Sequence, residues 1–191
     1  MISYYIYLDK MIYEPSDDSY LLKETLIKFL KNKSKKIKIL DMGSGSGIQA
    51  YTCKNLDFDN ILAVDVDDIS IKYLLKNNIK VIKSDLFKKI KNDKFDLIIF
   101  NPPYLPEDSR EPLDSKLQTT GGKKGYELIN KFLEQAVNFL KPKSSILLLF
   151  SSLSKPKIIL NKAKSLNYNY NLLAKKKIPF EELYIYEFRR R

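Results

Sequence analysis

Asn101-Pro102-Pro103-Tyr104 follows directly on the apolar run Phe95-Asp96-Leu97-Ile98-Ile99-Phe100. Asn101 offers a side-chain carbonyl as hydrogen-bond acceptor. Pro103 biases the residue before it towards extended backbone, which holds the Pro102 carbonyl in a fixed direction as a second acceptor. Tyr104 adds a flat face with a polar tip. Two fixed acceptors match the two hydrogens of one planar NH2 group, so the tetrapeptide reads as a station for an amide or an aromatic amine. The nitrogen of such a group donates its lone pair poorly, and an enzyme that methylates it must grip both hydrogens and aim the nitrogen. Asn101, Pro102 and Tyr104 are therefore the candidate catalytic residues. Without that chemistry the same residues are a strand ending in a proline-rich turn.

A second cluster lies upstream. Ile37-Lys38-Ile39-Leu40-Asp41 reads as a short buried strand, Gly43-Ser44-Gly45-Ser46-Gly47 as a turn, and Ile48 to Leu56 as a helix. Ile48 stands where a dinucleotide fingerprint has its third glycine, and no Gly-Lys-Ser/Thr comes after it to make a phosphate loop. Three acidic residues follow apolar runs: Asp41 before the turn, Asp65 after Ile61-Leu62-Ala63-Val64, and Asp85 after Val81-Ile82-Lys83-Ser84. On one sheet edge they would repel a pyrophosphate and attract a ligand with a sulfonium, an ammonium, a ribose diol and an adenine amine. S-adenosylmethionine is such a ligand. Asp65 is expected on the ribose hydroxyls, Asp85 on the adenine amine with Leu86 against the ring, Asn101 at the donor's reacting end, and Gly43, Gly45 and Gly47 beside the methionine part. Each aspartate alone reads equally as a helix cap or a solvated loop residue.

Glu14-Pro15-Ser16-Asp17-Asp18-Ser19, Asp41-Met42-Gly43-Ser44-Gly45-Ser46-Gly47, Asp65, Asp85-Leu86, the NPPY tetrapeptide and Gly121-Gly122-Lys123-Lys124-Gly125 together resemble the HemK-related glutamine methyltransferases of archaea and eukaryotes, from about Tyr13 to Phe188. The resemblance implies methylation of the glutamine side-chain amide in the Gly-Gly-Gln motif of peptide-chain release factors, with cofactor contacts from Asp17 and Ser19. It also implies a small zinc-binding activator protein paired with the edge strand of the sheet, here Ile79-Lys80-Val81-Ile82. Lysines guarding a bare edge are the other reading of that segment. An amino-methyltransferase acting on adenine or guanine in RNA or DNA is the alternative function, and a non-catalytic cofactor-binding module a weaker one.

The elements that must position these residues alternate. A helix rich in Tyr20, Leu22, Leu26 and Leu30 leads into strands near 37–41, 61–65, 80–83, 95–100 and 145–150, with helices near 48–56, 69–77, 126–140 and 155–165 between them. Tyr168 to Ile178 and Leu183 to Phe188, separated by Pro179-Phe180-Glu181-Glu182, read as a closing antiparallel hairpin. The expectation is an α/β, Rossmann-like, seven-stranded methyltransferase fold, mostly parallel, forming one domain over residues 1–191. The polar stretch from Leu105 to Gly122 is long for a loop and reads as a lid or substrate clamp. Its glycines, with Gly125, read either as points of approach for a substrate backbone or as a plain helix start.

Composition narrows the chemistry further. One cysteine and no histidine exclude an intrachain disulfide, a Ser-His or Cys-His nucleophile pair and an ordinary structural zinc site, so no metal is expected. Cys53 reads as a small core residue. The N-terminal apolar stretch Met1 to Tyr7 is too brief for a signal peptide, and no run reaches membrane-spanning length, which predicts a cytoplasmic protein. Net charge is +11, with lysines clustered at 31–38, 88–94 and 175–177 and arginines at 189–191. Because the clusters fall in connections and not along one helix face, a solvated surface is favoured over a nucleic-acid footprint.

Overall fold

The computed structural model describes residues 14–190, with 113 and 114 as backbone alone; the segment read against a signal peptide lies outside them. Why the central strands are continuous apolar runs is visible in where alternate residues go. Ile39, Leu97, Ile99, Leu147 and Leu149 pack on one face, while Leu40, Met42, Ile98, Phe100, Ile146, Leu148 and Phe150 pack on the other. A sheet covered on both sides leaves no strand position for water.

The elements run α1 (Asp17–Leu30), β1 (Ile39–Met42), α2 (Ile48–Asn55), β2 (Ile61–Asp65), α3 (Asp68–Lys76), β3 (Val81–Lys83), β4 (Phe95–Phe100), α4 (Leu113–Thr119), α5 (Glu127–Ala136), β5 (Leu140–Ser151), α6 (Pro156–Ser165), β6 (Tyr168–Ile178) and β7 (Glu181–Arg190). Strand order is β3-β2-β1-β4-β5-β7-β6. β1 to β5 are parallel, and β7 joins antiparallel between β5 and β6. One core holds Leu22, Leu26 and Leu30 of α1 with Ala50, Cys53 and Leu74; the other holds Ile129, Phe132 and Leu133 of α5 with Ile159 and Ala163 of α6.

The seven strands, the mostly parallel order and the closing hairpin agree with expectation. Two parts differ. β5 begins at Leu140, because Leu140 pairs with Phe95 before a register irregularity that ends at Ser145. Pro142 and the left-handed Lys143 at φ 63° sit in that irregularity and hid the strand in the sequence. The stretch after Tyr104 is built structure and not a free lid. It contains α4, and it is tied by hydrogen bonds from Leu105 N to Thr119 O at 2.8 Å and from Gly121 N to Leu105 O at 2.9 Å.

Candidate active site

Strand order reverses at β1, whose neighbours lead outward in opposite directions, and open α/β sheets bind ligands in the crevice at the carboxyl ends of such strands. Register decides which residues meet there. Met42 pairs with Val64 on one side and with Phe100 on the other, so Asp65, Gly43 and Asn101 leave the sheet side by side. Lys83 pairs with Asp65, which carries the chain on to Asp85 at the outer end of the same edge. The glycine turn and the NPPY tetrapeptide, 58 residues apart by the pairing of Met42 with Phe100, thus become neighbours.

The turn is shaped by its glycines and braced from below. Gly47 adopts φ 77°, and a Cβ there would stand 2.6 Å from Leu74 and 2.9 Å from Tyr51. A Cβ on Gly45 would meet nothing within 4 Å, so the upper side of the turn opens on free space beside Asp65. Asp65 Oδ2 accepts from Gly45 N at 2.7 Å, and Oδ1 accepts from Val66 N and Asp67 N. Burial raises its pKa, and these three N–H groups pull against that shift.

Asp41 departs from expectation. Its carboxylate lies beneath the turn, accepting from Ser44 Oγ at 2.5 Å and Ala50 N at 3.1 Å. It ties β1 to the turn and to α2 and does not face the crevice. Burial drives its pKa from 3.8 up to about 7, against the two hydrogen bonds. The folded protein therefore keeps a proton that the unfolded chain releases, and stability from this group falls as pH rises from about 4 to about 7. Asp41→Asn should remove that dependence. Thermal melts across the window should show the wild type losing its advantage over the variant as pH rises; parallel curves would contradict the assignment.

Beside the turn, the N-terminus of α1 supplies a residue that sequence reading passed over. Asp17, the expected contact, has a side chain 56% exposed and paired with Lys176 at 2.9 Å. Asp18 is 5% exposed. Its Oδ2 accepts from Asn101 Nδ2 at 3.1 Å and from Tyr104 Oη at 3.4 Å, and its Oδ1 accepts from Ser16 Oγ and Ser19 N. One helical step of about 100° separates the two aspartates. Asp18 shares a stripe with Leu22, Thr25 and Leu26, all buried, and that spacing is the signal that could have found it. Ser19 stands at the same corner: its hydroxyl receives Asn101 Nδ2 at 3.4 Å, and its carbonyl receives Gln49 Nε2 at 2.9 Å.

An aspartate carboxylate accepts and does not donate, so the NH2 end of Asn101 must face Asp18. Asn101 Oδ1 is left buried with no hydrogen-bond partner among the described residues. A buried acceptor without a donor is costly, and such an exception in a cleft points to a missing partner. The tetrapeptide is held from behind as well. Ser154 Oγ donates to Tyr104 O at 2.8 Å. A Cβ on Gly125 would stand 2.5 Å from that same oxygen, and one on Gly121 would stand 2.6 Å from Pro103 O. The glycines after the loop thus let it pack against NPPY, a third reading beyond the two taken from sequence. Ser154 had no spacing signal to reveal it.

The adenine end is less as expected. Asp85 ends up at the outer edge of the crevice, with its carboxylate engaged by Lys88 at 2.7 Å and Lys131 at 3.4 Å, which lower its pKa. Leu86 adopts φ 47° and its side chain is buried in the core cluster, so it does not present a free apolar face.

Among the described residues the open glycine turn, the buried Asp65 beside it and the orphaned carbonyl of Asn101 fit a cationic nucleoside donor. Fold and site define an S-adenosylmethionine-dependent methyltransferase. The family model for the methyltransferase small domain matches residues 23–177. A Methanocaldococcus jannaschii protein provisionally named as a protein N5-glutamine methyltransferase is 37% identical over 182 residues, covering 91% of this chain and 89% of the relative. The release factor glutamine methyltransferase of Clostridium botulinum is 31% identical over 157 residues, 73% of this chain and 55% of that protein. The chain therefore spans about half of this bacterial relative but nearly all of the archaeal one. In structure it resembles a chain of the E. cuniculi Mtq2-Trm112 complex, described as responsible for methylation of the eRF1 translation termination factor. The TM-score is 0.75 at 23% identity, covering 95% of this chain and 99% of that one. The chain belongs to the methyltransferase small domain family and, within it, to the protein N5-glutamine methyltransferases. No helix among the described residues is long and apolar enough to cross a membrane.

Proposed function

We propose that this enzyme methylates the side-chain amide nitrogen of a glutamine in a peptide-chain release factor. The observation that carries the reading is the Asn101 carbonyl, buried and without a hydrogen-bond partner among the described residues, on an amide whose NH2 end is held by Asp18. Asn101 Oδ1 and the Pro102 carbonyl accept the two hydrogens of the substrate amide, and Tyr104 packs against its plane. Gripping both hydrogens fixes the direction of the nitrogen lone pair and stabilises positive charge as it develops there. Asp65, the Gly43–Gly47 turn and Ser19 would hold S-adenosylmethionine, with Asp85 at the adenine end if it releases its lysines. When bound, that cofactor supplies an electrophilic methyl group on a sulfonium. The sequence has no histidine, and the proton passes to water after transfer, since the amide nitrogen is strongly acidic once it carries both the methyl group and its two hydrogens.

The surroundings of the mouth favour a protein substrate over a nucleobase. Several cations near it are paired, Lys116 with Glu107, Lys175 with Glu182 and Lys176 with Asp17. Leu117, Leu153 and Phe180 present exposed apolar surface at the same edge. A relative named as a release factor glutamine methyltransferase supports the substrate. The partnered structural neighbour supports a small activator, which we place on β3, the edge strand, in the zinc-binding form that the family resemblance implies. A cytoplasmic location follows from a substrate of the translation machinery.

Labelled methyl transfer, run in parallel on a release factor, RNA and DNA, tests the reading. Label is expected on the release factor and on its glutamine amide; label on RNA or DNA alone would replace this function by the nucleobase alternative.

A further inference from the structure

Basic residues that look scattered along the sequence, from parts of the 31–38, 88–94 and 189–191 clusters and at Lys143, gather in space. Connections from a helix into a parallel strand all emerge at the amino-terminal edge of the sheet, opposite the candidate active site. Lys33 and Lys36 precede β1, Lys91 and Lys94 precede β4, Lys143 lies at the start of β5, and Arg190 ends the antiparallel β7. β1, β4, β5 and β7 are consecutive neighbours in the sheet, and Ser145 pairs with both Leu97 and Arg189, which puts these ends in one row. At about 4.8 Å per strand the row spans about 15 Å, with neighbouring strand ends inside the screening length of about 10 Å at 0.1 M salt.

The charge on this edge is not cancelled. Asp93 and Asp96 are taken by Lys38 and Lys141, and Glu187 by Arg189. Asp57 and Asp59 stand before β2, beside the β1 end of the row, and are too few to offset its six cations. The six basic residues named are all exposed and form no ion pair among the described residues. A hollow of about 670 Å³ opens between Ile90, Lys91, Asn92, Asp93 and Lys94 on one side and Asn138 and Phe139 on the other. It offers cations, amides and an aromatic ring together, beside the Asp93 carboxylate that Lys38 holds.

We infer that this edge is a docking surface for the phosphodiester backbone of a nucleic acid, separate from the site of methyl transfer. The inference does not depend on the identity of the methylated substrate. Its partner is anchored and not modified, as the edge carries no counterpart of the NPPY station. Lysine and arginine neutralise phosphates and release counterions, giving binding without sequence reading and with a steep salt dependence.

The test uses the full chain and fluorescence anisotropy with a labelled single-stranded RNA of about 20 nucleotides and DNA of the same sequence. Binding should fall with added salt at a slope of about 0.7 per phosphate contact. The triple variant Lys36→Gln, Lys94→Gln, Lys143→Gln should weaken it about tenfold or more. A control triple with the same change of net charge at the opposite edge, Lys155→Gln, Lys157→Gln, Lys177→Gln, should leave it within about twofold. Both triples should melt as the wild type does, and the amino-edge triple should transfer methyl groups as the wild type does. Equal affinity for RNA and DNA assigns recognition to the shared backbone, and tighter RNA binding adds the 2′-hydroxyl. Equal loss in the two triples, no salt-dependent binding, or preference for vesicles of anionic phospholipid over both oligonucleotides would overturn the inference.

Discussion

Asn101→Ala should lower the rate of methyl transfer by about two to three orders of magnitude while leaving the dissociation constant for S-adenosylmethionine within a few-fold of wild type. In the proposed mechanism the truncation removes the side-chain acceptor for the substrate amide. It leaves Asp65 and the glycine turn untouched, because neither bonds to Asn101. Asp18 loses a donor but retains Ser16 Oγ, Ser19 N and Tyr104 Oη, so the fold should hold. Single-turnover kinetics and calorimetric titration of the donor separate the two effects. Turnover near that of the wild type would remove Asn101 from the chemistry.

The second large effect is expected at a residue that touches no reacting atom. In Asp18→Asn the new amide oxygen must stay with Ser19 N, since that backbone N–H is buried and can be satisfied only by an acceptor. The new NH2 then faces the NH2 of Asn101, donor against donor. Asn101 is driven to flip and present its own NH2 to the substrate, where an acceptor is needed. A loss of about a hundredfold in turnover is expected, approaching that of the alanine variant. The double variant should be no slower than Asn101→Ala alone, because both changes remove the same acceptor. Losses that multiply would assign Asp18 a role independent of Asn101.

The reach of sequence alone can be judged at these two neighbours of one site. The place of Asn101 at a strand end was legible because its neighbours constrain it: a buried strand runs into it, and two prolines fix the backbone beyond it. β1 to β4 were legible because both of their faces are buried, which leaves apolar runs with acidic or glycine residues at their ends. Asp18 was obscured by Asp17. The two are chemically identical and adjacent, and only the stripe of Leu22 and Leu26 distinguishes inside from outside. Asp41 has the same type and a similar strand-end position as Asp65, yet one carboxylate braces the turn from below and the other stands beside it. That difference depends on which backbone N–H groups come within reach after folding, which spacing does not encode. Ser154 and the lysine edge were hidden for a related reason, as strand order brings their neighbours to them from far along the chain.

Two edges of one sheet thus carry different chemistry. At the carboxyl ends, Asp18, Asp41 and Asp65 are buried and the Asn101 carbonyl has no partner among the described residues. At the amino ends, unpaired cations line four neighbouring strands. The separation lets substrate selection and macromolecular anchoring be altered independently, as the paired lysine triples exploit.

Diffraction from crystals grown with S-adenosylhomocysteine and a glutamine-bearing Gly-Gly-Gln peptide probes the site most directly. The nucleoside should lie between the ends of β1 and β2 with its ribose at Asp65, and the glutamine amide should donate to Asn101 Oδ1 and Pro102 O. A nucleoside bound elsewhere, or an Asn101 whose NH2 faces the peptide with its oxygen towards Asp18, would contradict the assignment.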